Sequence, residues 1–273
     1  ENDTGLINRI LSSHAGFAQA QFNLWDRVFA TAGVRHDSYN VFGNATTYRL
    51  TGGYYQKETD TKLRVGYSTG FRAPSMNELY FPNFGNPNLG PEKNQSMDAG
   101  IDQYFFSKQL KLSGGFFWNH YRNLIVTTFD PGFCAPFSTF GFCPQQLGEA
   151  STKGWEAGLT YTYSSDRPFL KGVVVQAQYT NTITRDLDTQ TRLPRWPTDQ
   201  WSASVSYQPI DPLWITVIGR YVGSRFNTTG DRQAMPAFDV WSLAVTYDVT
   251  KQMQAYLRAE NLFNEKYEEI ASA

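Results

Sequence analysis

A two-residue beat in side-chain polarity runs along almost the whole chain, and it constrains the fold more than any other feature. Trp201, Ala203, Val205 and Tyr207 alternate with Ser202, Ser204, Ser206 and Gln208. Trp241, Leu243, Val245 and Tyr247 alternate with Ser242, Ala244, Thr246 and Asp248. The same beat governs Val28 to Val34, Trp155 to Tyr161 and Met253 to Ala259. A period of two is the signature of a strand with unlike faces. Further strands read over 16–24, 46–56, 61–70, 95–105, 110–121, 170–182 and 213–223 bring the total to about twelve, each near the length of a tilted membrane strand.

Alternation alone leaves two architectures open. In a soluble sandwich the apolar face points to a dry core. In a membrane barrel it points to lipid, with the polar face on a wet lumen. The connections separate them. Short links (24–26, 58–60, 107–108, 165–167, 209–212 and 250–251) alternate with long ones (38–44, 73–93, 123–153, 186–197 and 224–238). Tight turns on one side and long loops on the other describe an outer-membrane barrel, and loops of this length are unusual in compact domains. Trp25, Trp118, Trp155, Trp201, Trp214 and Trp241 stand near strand ends, where girdle aromatics belong. The expected fold is therefore all-β: a transmembrane antiparallel β-barrel whose short turns are periplasmic and whose long loops are external.

Composition excludes other classes. The mean hydropathy of −0.45 and the lack of any long apolar run rule out membrane-spanning helices. The formal net charge of −1 gives no surface for nucleic acid. The two cysteines, Cys134 and Cys143, have no neighbouring His or Cys to complete a metal site. A disulfide closing a small loop in an oxidising compartment is expected, the alternative being two free thiols. No metal, cofactor or catalytic group is expected.

On this topology the first strand runs down into a short turn and the last clear strand runs up, so both termini fall on the outer side. Barrels of this kind normally keep both termini periplasmic. The chain is accordingly expected to be part of a larger barrel, residues 1–273 making its later half without the final strand.

Gly66-Tyr-Ser-Thr-Gly-Phe-Arg-Ala-Pro-Ser75, Asn86-Pro-Asn-Leu-Gly-Pro-Glu-Lys93 and Ala259-Glu-Asn-Leu-Phe-Asn-Glu-Lys-Tyr267 resemble the barrel of TonB-dependent receptors. Weaker echoes at 32–37, 98–102 and 153–156 follow in the family's order, so the resemblance covers nearly the whole chain. Its nearest likeness is to the cobalamin-transporter and siderophore-receptor branch. The resemblance implies a barrel of about 22 strands filled by an N-terminal plug that contacts a TonB-type energy-transducing protein. Plug, early strands and final strand lie outside this sequence. Haem receptors of the family carry a ligating His between the first two motifs, whereas residues 75–85 contain none, and the histidines are His14, His36 and His120.

The function expected is outer-membrane uptake of a scarce large nutrient, a siderophore–iron complex or cobalamin, with membrane lipid and the TonB-type protein as partners. Arg72, Tyr80, Phe81, Phe84, Phe137, Phe140 and Phe142 are the candidate ligand contacts: aromatic faces suit a bulky, partly apolar ligand and Arg72 suits its negative group. Loop self-packing is the competing reading of the aromatics, and a loop scaffold that of the motif's Pro74, Pro82, Glu92 and Lys93. Two other functions are weighed. A passive porin is one. A barrel enzyme is the other, but His36 and Asp37 are adjacent on a strand and face opposite ways.

Overall fold

The computed structural model describes residues 10–227 and 234–270. Twelve strands form one sheet in strict sequence order, every neighbouring pair antiparallel. They are β1 (Ser13–Leu24), β2 (Val28–Tyr39), β3 (Gly43–Gln56), β4 (Thr61–Arg72), β5 (Glu92–Phe105), β6 (Leu110–Phe129), β7 (Phe142–Arg167), β8 (Leu170–Asp186), β9 (Asp199–Ile210), β10 (Leu213–Val222), β11 (Phe238–Asp248) and β12 (Gln254–Ala259). Two short helices, α1 (Met76–Tyr80) and α2 (Pro131–Cys134), lie in the outer loops.

The register carries each strand's apolar set onto one continuous face. One rung joins Ala32, Leu50, Tyr67, Met97, Trp118 and Lys153. Another joins Tyr161, Val175, Val205, Val217 and Leu243. Among the described residues there is no second layer for this face to pack on: Leu50, Val65, Phe116 and Val205 are 53%, 58%, 52% and 46% exposed. In water that much open apolar wall is untenable, so lipid must be its solvent. The opposite face presents Thr51, Ser68, Ser113, Gln178, Ser202 and Ser204 to a polar concavity. The single sheet with one apolar and one polar face removes the sandwich alternative.

Turn chemistry sets the two ends apart. At the short-turn end, Trp25 and Asp26, Asp60, then Phe106, Ser107 and Lys108, and Phe169 all take positive φ, closing tight turns that keep the strands in register. Trp25, Phe106 and Phe169 are among the most exposed aromatics and form the lower interfacial belt. At the other end Trp155 lies 4.7 Å from Tyr179, and Trp201 lies 6.2 Å from Tyr221 and 5.8 Å from Trp241, ring centre to ring centre. These form the upper belt.

Three sequence expectations are corrected. The link at 38–44 is not long: pairing continues to Tyr39 opposite Gly43, which takes a φ of +85°, so residues 40–42 make a tight turn. Most of 123–153 is strand, because β6 and β7 run on as a hairpin of 20 and 26 residues well past the girdle. Asn123 and Gly148, at φ of 57° and 53°, interrupt this hairpin where it leaves the wall, and pairing resumes at Leu124 opposite Leu147. Trp214 belongs to neither belt. It pairs with Thr246 and lies against Gly172 on the inner face, one residue out of phase with the outward set Leu213 and Ile215.

The wall is tightest between β6, β7 and β8. A Cβ on Gly154 would stand 1.9 Å from the carbonyl oxygen of Asn181 and 2.8 Å from Phe117. Gly16 meets nothing within 4 Å. Gly154→Ala is therefore expected to cost about 1–3 kcal/mol by forcing the backbone apart, and Gly16→Ala to be silent. Urea unfolding of the full-length protein in vesicles, followed by the gel-mobility shift of the folded barrel, checks both.

Candidate functional site: the outer loop cluster and the lumen below it

Arg72, the last residue of β4, pairs in register with Glu92, the first of β5, so the two ends of the 73–91 loop are held by opposite charges. The guanidinium donates to Glu92 from Nε (2.7 Å) and Nη2 (2.8 Å), and to both oxygens of Glu78 (3.1 Å each). Glu78 also accepts the Ser75 amide at 2.7 Å, while the Ser75 hydroxyl accepts the Glu78 amide at 3.2 Å, a reciprocal cap on α1. Glu92 reaches across to accept the Ile125 amide at 2.7 Å. One arginine thus ties the loop's entry, its helix and the β6 extension together. Burial opposes the Glu78 charge, but Arg72 and Ser75 outweigh it and hold this carboxyl below its ordinary range.

The rest of the loop is stitched to the β6–β7 hairpin. Pro74 and Leu79 are fully buried beneath it. Asn86 donates to the Pro144 carbonyl (3.1 Å) and accepts the Asn88 amide (3.0 Å). Gln146 accepts the Gly90 amide (2.9 Å) and donates to its carbonyl (2.8 Å). Asn83 and Thr139 exchange two hydrogen bonds, at 2.9 and 2.6 Å. Gly85 packs so closely on the end of α1 that a Cβ would come within 2.6 Å of the Tyr80 and Phe81 amides.

The hairpin tip is braced covalently. Cys134 and Cys143 form a disulfide across 9 positions, both wholly buried. Closing so short a loop stabilises by about 2–3 kcal/mol. Asp130 caps α2 by accepting the Gly132 and Phe133 amides.

The candidate ligand contacts divide. Arg72 is saturated by two carboxylates, and its place is that of a scaffold. Of the charged scaffold residues, Glu92 turns inward to Arg72, while Lys93, the next residue of β5, falls on the opposite face. Phe81 and Phe84 pack edge to face at 6.3 Å, yet Phe81 stays 51% exposed. Phe140 is 73% exposed, and Phe142, against Phe129 at 4.9 Å, is 49% exposed. Phe137 lies 6.0 Å from Phe133 and is partly covered, as is Tyr80. The Asn83–Thr139 bonds bring the two loops together, so Phe81, Phe84 and Phe140 flank one joint.

Below the loops the inner wall is charged. Arg35 grips Asp37 through two 2.8 Å hydrogen bonds, and Asp37 is buried. His36 faces the other way, to the Thr46 hydroxyl at 2.8 Å, so no His–Asp dyad forms. Asp102, also buried, faces Lys111 at 3.5 Å and Arg64 at 3.9 Å. A concavity of about 520 Å³ opens onto Arg35, Arg49 and Asp98. Arg258 pairs with Glu260 at 2.9 Å, and Arg27 with Glu58 at the lower rim. Sequence reasoning missed Gln146 and Asn83, which carry no local pattern, and read Asn86 as the start of a motif without its Pro144 partner. The register of Arg72 against Glu92 was the signal that would have found the arginine's partners.

Residues 4–262 match the family described as TonB dependent receptor-like, beta-barrel. The chain belongs to that family. Its place is the bacterial outer membrane. The vitamin B12 transporter BtuB of Vibrio vulnificus (strain YJ016) is 28% identical across all of this chain and 41% of its own length. That of Photobacterium profundum is 26% identical over 86% of the chain and 36% of its length. Among solved structures, the copper transporter OprC superposes with a TM-score of 0.77 at 16% identity, covering 94% of this chain and 42% of its own. A ferric enterobactin receptor of Pseudomonas aeruginosa does so at 0.75 and 17%, covering 93% and 40%. The chain thus spans about two fifths of the curated relatives it matches, and these named relatives are transporters and receptors.

Arg72→Gln is expected to release Glu78 and Glu92 at a cost of about 1–2 kcal/mol, since the network is partly exposed. Amide exchange at Ser75 and Ile125 should quicken about 5–30-fold, with the disulfide tip unaffected. The same protection depends on pH. The Glu78 carboxyl titrates lower when folded than when unfolded, so its contribution is complete above the unfolded value of about 4.3. It is lost as pH falls through the folded value, and exchange at Ser75 measured down that range checks it.

Proposed function

We propose that the full protein is an outer-membrane receptor that takes up a scarce large nutrient, a siderophore–iron complex or cobalamin, by TonB-dependent active transport. The observation that carries this reading is the alignment of a vitamin B12 transporter along the whole of this chain, in a family of receptor barrels. On this reading residues 1–273 are the later part of a barrel of about 22 strands. The remaining strands close the open edges at β1 and β12, and an N-terminal plug fills the lumen. Charged inner-wall groups such as Arg49 and Asp98 face that plug, and a TonB-type protein pulls on it.

The ligand lands on the stitched outer loops. Phe81, Phe84 and Phe140 offer it rigid aromatic faces at little entropic cost, because the loops are already fixed by Asn83–Thr139, Gln146 and the disulfide. Arg72 holds the platform in shape.

Whole cells expressing the full-length protein test this. Radiolabelled cyanocobalamin and ferric siderophores should show saturable binding to one class, and uptake should disappear when the energy-transducing protein is deleted. Phe81→Ala with Phe140→Ala should weaken binding by about tenfold or more, the loss of two aromatic contacts. Uptake that persists without the transducer and extends to any small solute would make the protein a passive channel.

A further inference from the structure

The outward face of the wall is apolar up to the upper belt and then changes character over four strands. Three rungs carry the change. The lowest runs through Met97, Trp118, Lys153 and Ile183, the next through Gln95, His120, Ser151 and Arg185, and the highest through Lys93, Arg122 and Glu149. Residues opposite one another in a ladder share a face. Lys93, Arg122, Lys153 and Arg185 therefore stand on the lipid side, level with Trp118 or just above it, and all four are exposed.

The patch is strongly cationic. Among the described residues Lys93, Lys153 and Arg185 have no ion-pair partner. Arg122 approaches Glu149 at 3.5 Å, and the other oxygen of Glu149 meets His120 at 2.9 Å. Asp188 stands beside Glu149 and accepts its amide at 3.1 Å, so four permanent cations face two carboxylates. The excess is local: outward positions at the same end of neighbouring strands are His14, His36, Thr46, Asp199 and Asp239. A cleft of about 230 Å³ opens on this face, lined by Tyr48, Thr69, Phe71, Lys93, His120 and Arg122. Strand spacing and rise make the patch about 15 Å wide and about 13 Å tall, the footprint of a headgroup bearing more than one phosphate.

A cation at this height on a lipid-facing wall gains nothing from hydrocarbon, and the strands elsewhere avoid it. Its complement is an anion at the membrane–water border. We propose that this rim patch binds the phosphorylated headgroup of an outer-leaflet glycolipid. The four cations meet its phosphates, while Tyr48, Phe71 and Trp118 meet its apolar part. The site lies outside the lumen and does not depend on which nutrient is carried.

The probe is diphosphoryl lipid A, presented in neutral detergent to the purified full-length protein, with retained lipid counted by native mass spectrometry. The wild type should hold the lipid, and K93Q/R122Q/K153Q/R185Q should bind it on the order of several hundredfold more weakly, given about 1 kcal/mol for each cation near an anionic surface. R49Q, an inward cation, should bind as the wild type does, and phosphatidylcholine should bind no better to the wild type than to the variant. Folding is checked by the barrel's heat-sensitive gel mobility. If the fourfold variant misfolds, K153Q/R185Q replaces it, with about a thirtyfold loss expected on the same basis. Equal lipid retention by variant and wild type would overturn the proposal. So would full displacement of the lipid by inorganic pyrophosphate at matched phosphate concentration, which would mark a simple anion site.

Discussion

A backbone amide in hydrocarbon has no water to bond, so every N–H and C=O within the membrane must be paired inside the wall. That constraint explains why the strands lie in strict sequence order with antiparallel partners throughout. It also fixes the faces. A slip of one residue would carry a whole strand's apolar set into the lumen, and the tight positive-φ turns at the short-turn end hold the register against such slips.

Beyond the membrane the constraint relaxes, and chemistry of a different kind takes over. The β6–β7 hairpin continues through Val126 and Gln145 without a clean apolar face, and it is held by a disulfide, a capped helix and side-chain bonds to the 73–91 loop. Arg72 sits at the boundary of the two regimes, the last residue of a wall strand and the hub of the loop cluster. The exposed aromatics are held on a prepared platform. The rim cations lie at the same boundary on the other face.

Much of this was legible in the sequence because lipid imposes the two-residue beat. The strands from Trp201 to Gln208 and from Trp241 to Asp248 read correctly, faces included. What lies above the membrane was not legible, because there the beat no longer reports on pairing. Leu124 to Phe129 looks like loop, yet it is strand, paired with Phe142 to Leu147. The turn at 40–42 looks longer than it is because Asn40, Gly43 and Asn44 are all turn formers. Asn83 finds Thr139 and Gly90 finds Gln146 across 56 positions, a distance no local pattern spans. The rim cations each look like an isolated exception to alternation until the register aligns them.

The central claim is that this sheet is a one-layer wall between lipid and a wet lumen. Nitroxide labels at successive positions of β9, from Ser202 to Tyr207, in the full-length protein in bilayers would test it directly. Collisions with oxygen should peak at Ala203, Val205 and Tyr207, and collisions with a polar nickel reagent at Ser202, Ser204 and Ser206. Equal access to both reagents along the strand, or oxygen access at the serines, would contradict the wall and return the chain to a water-soluble β fold.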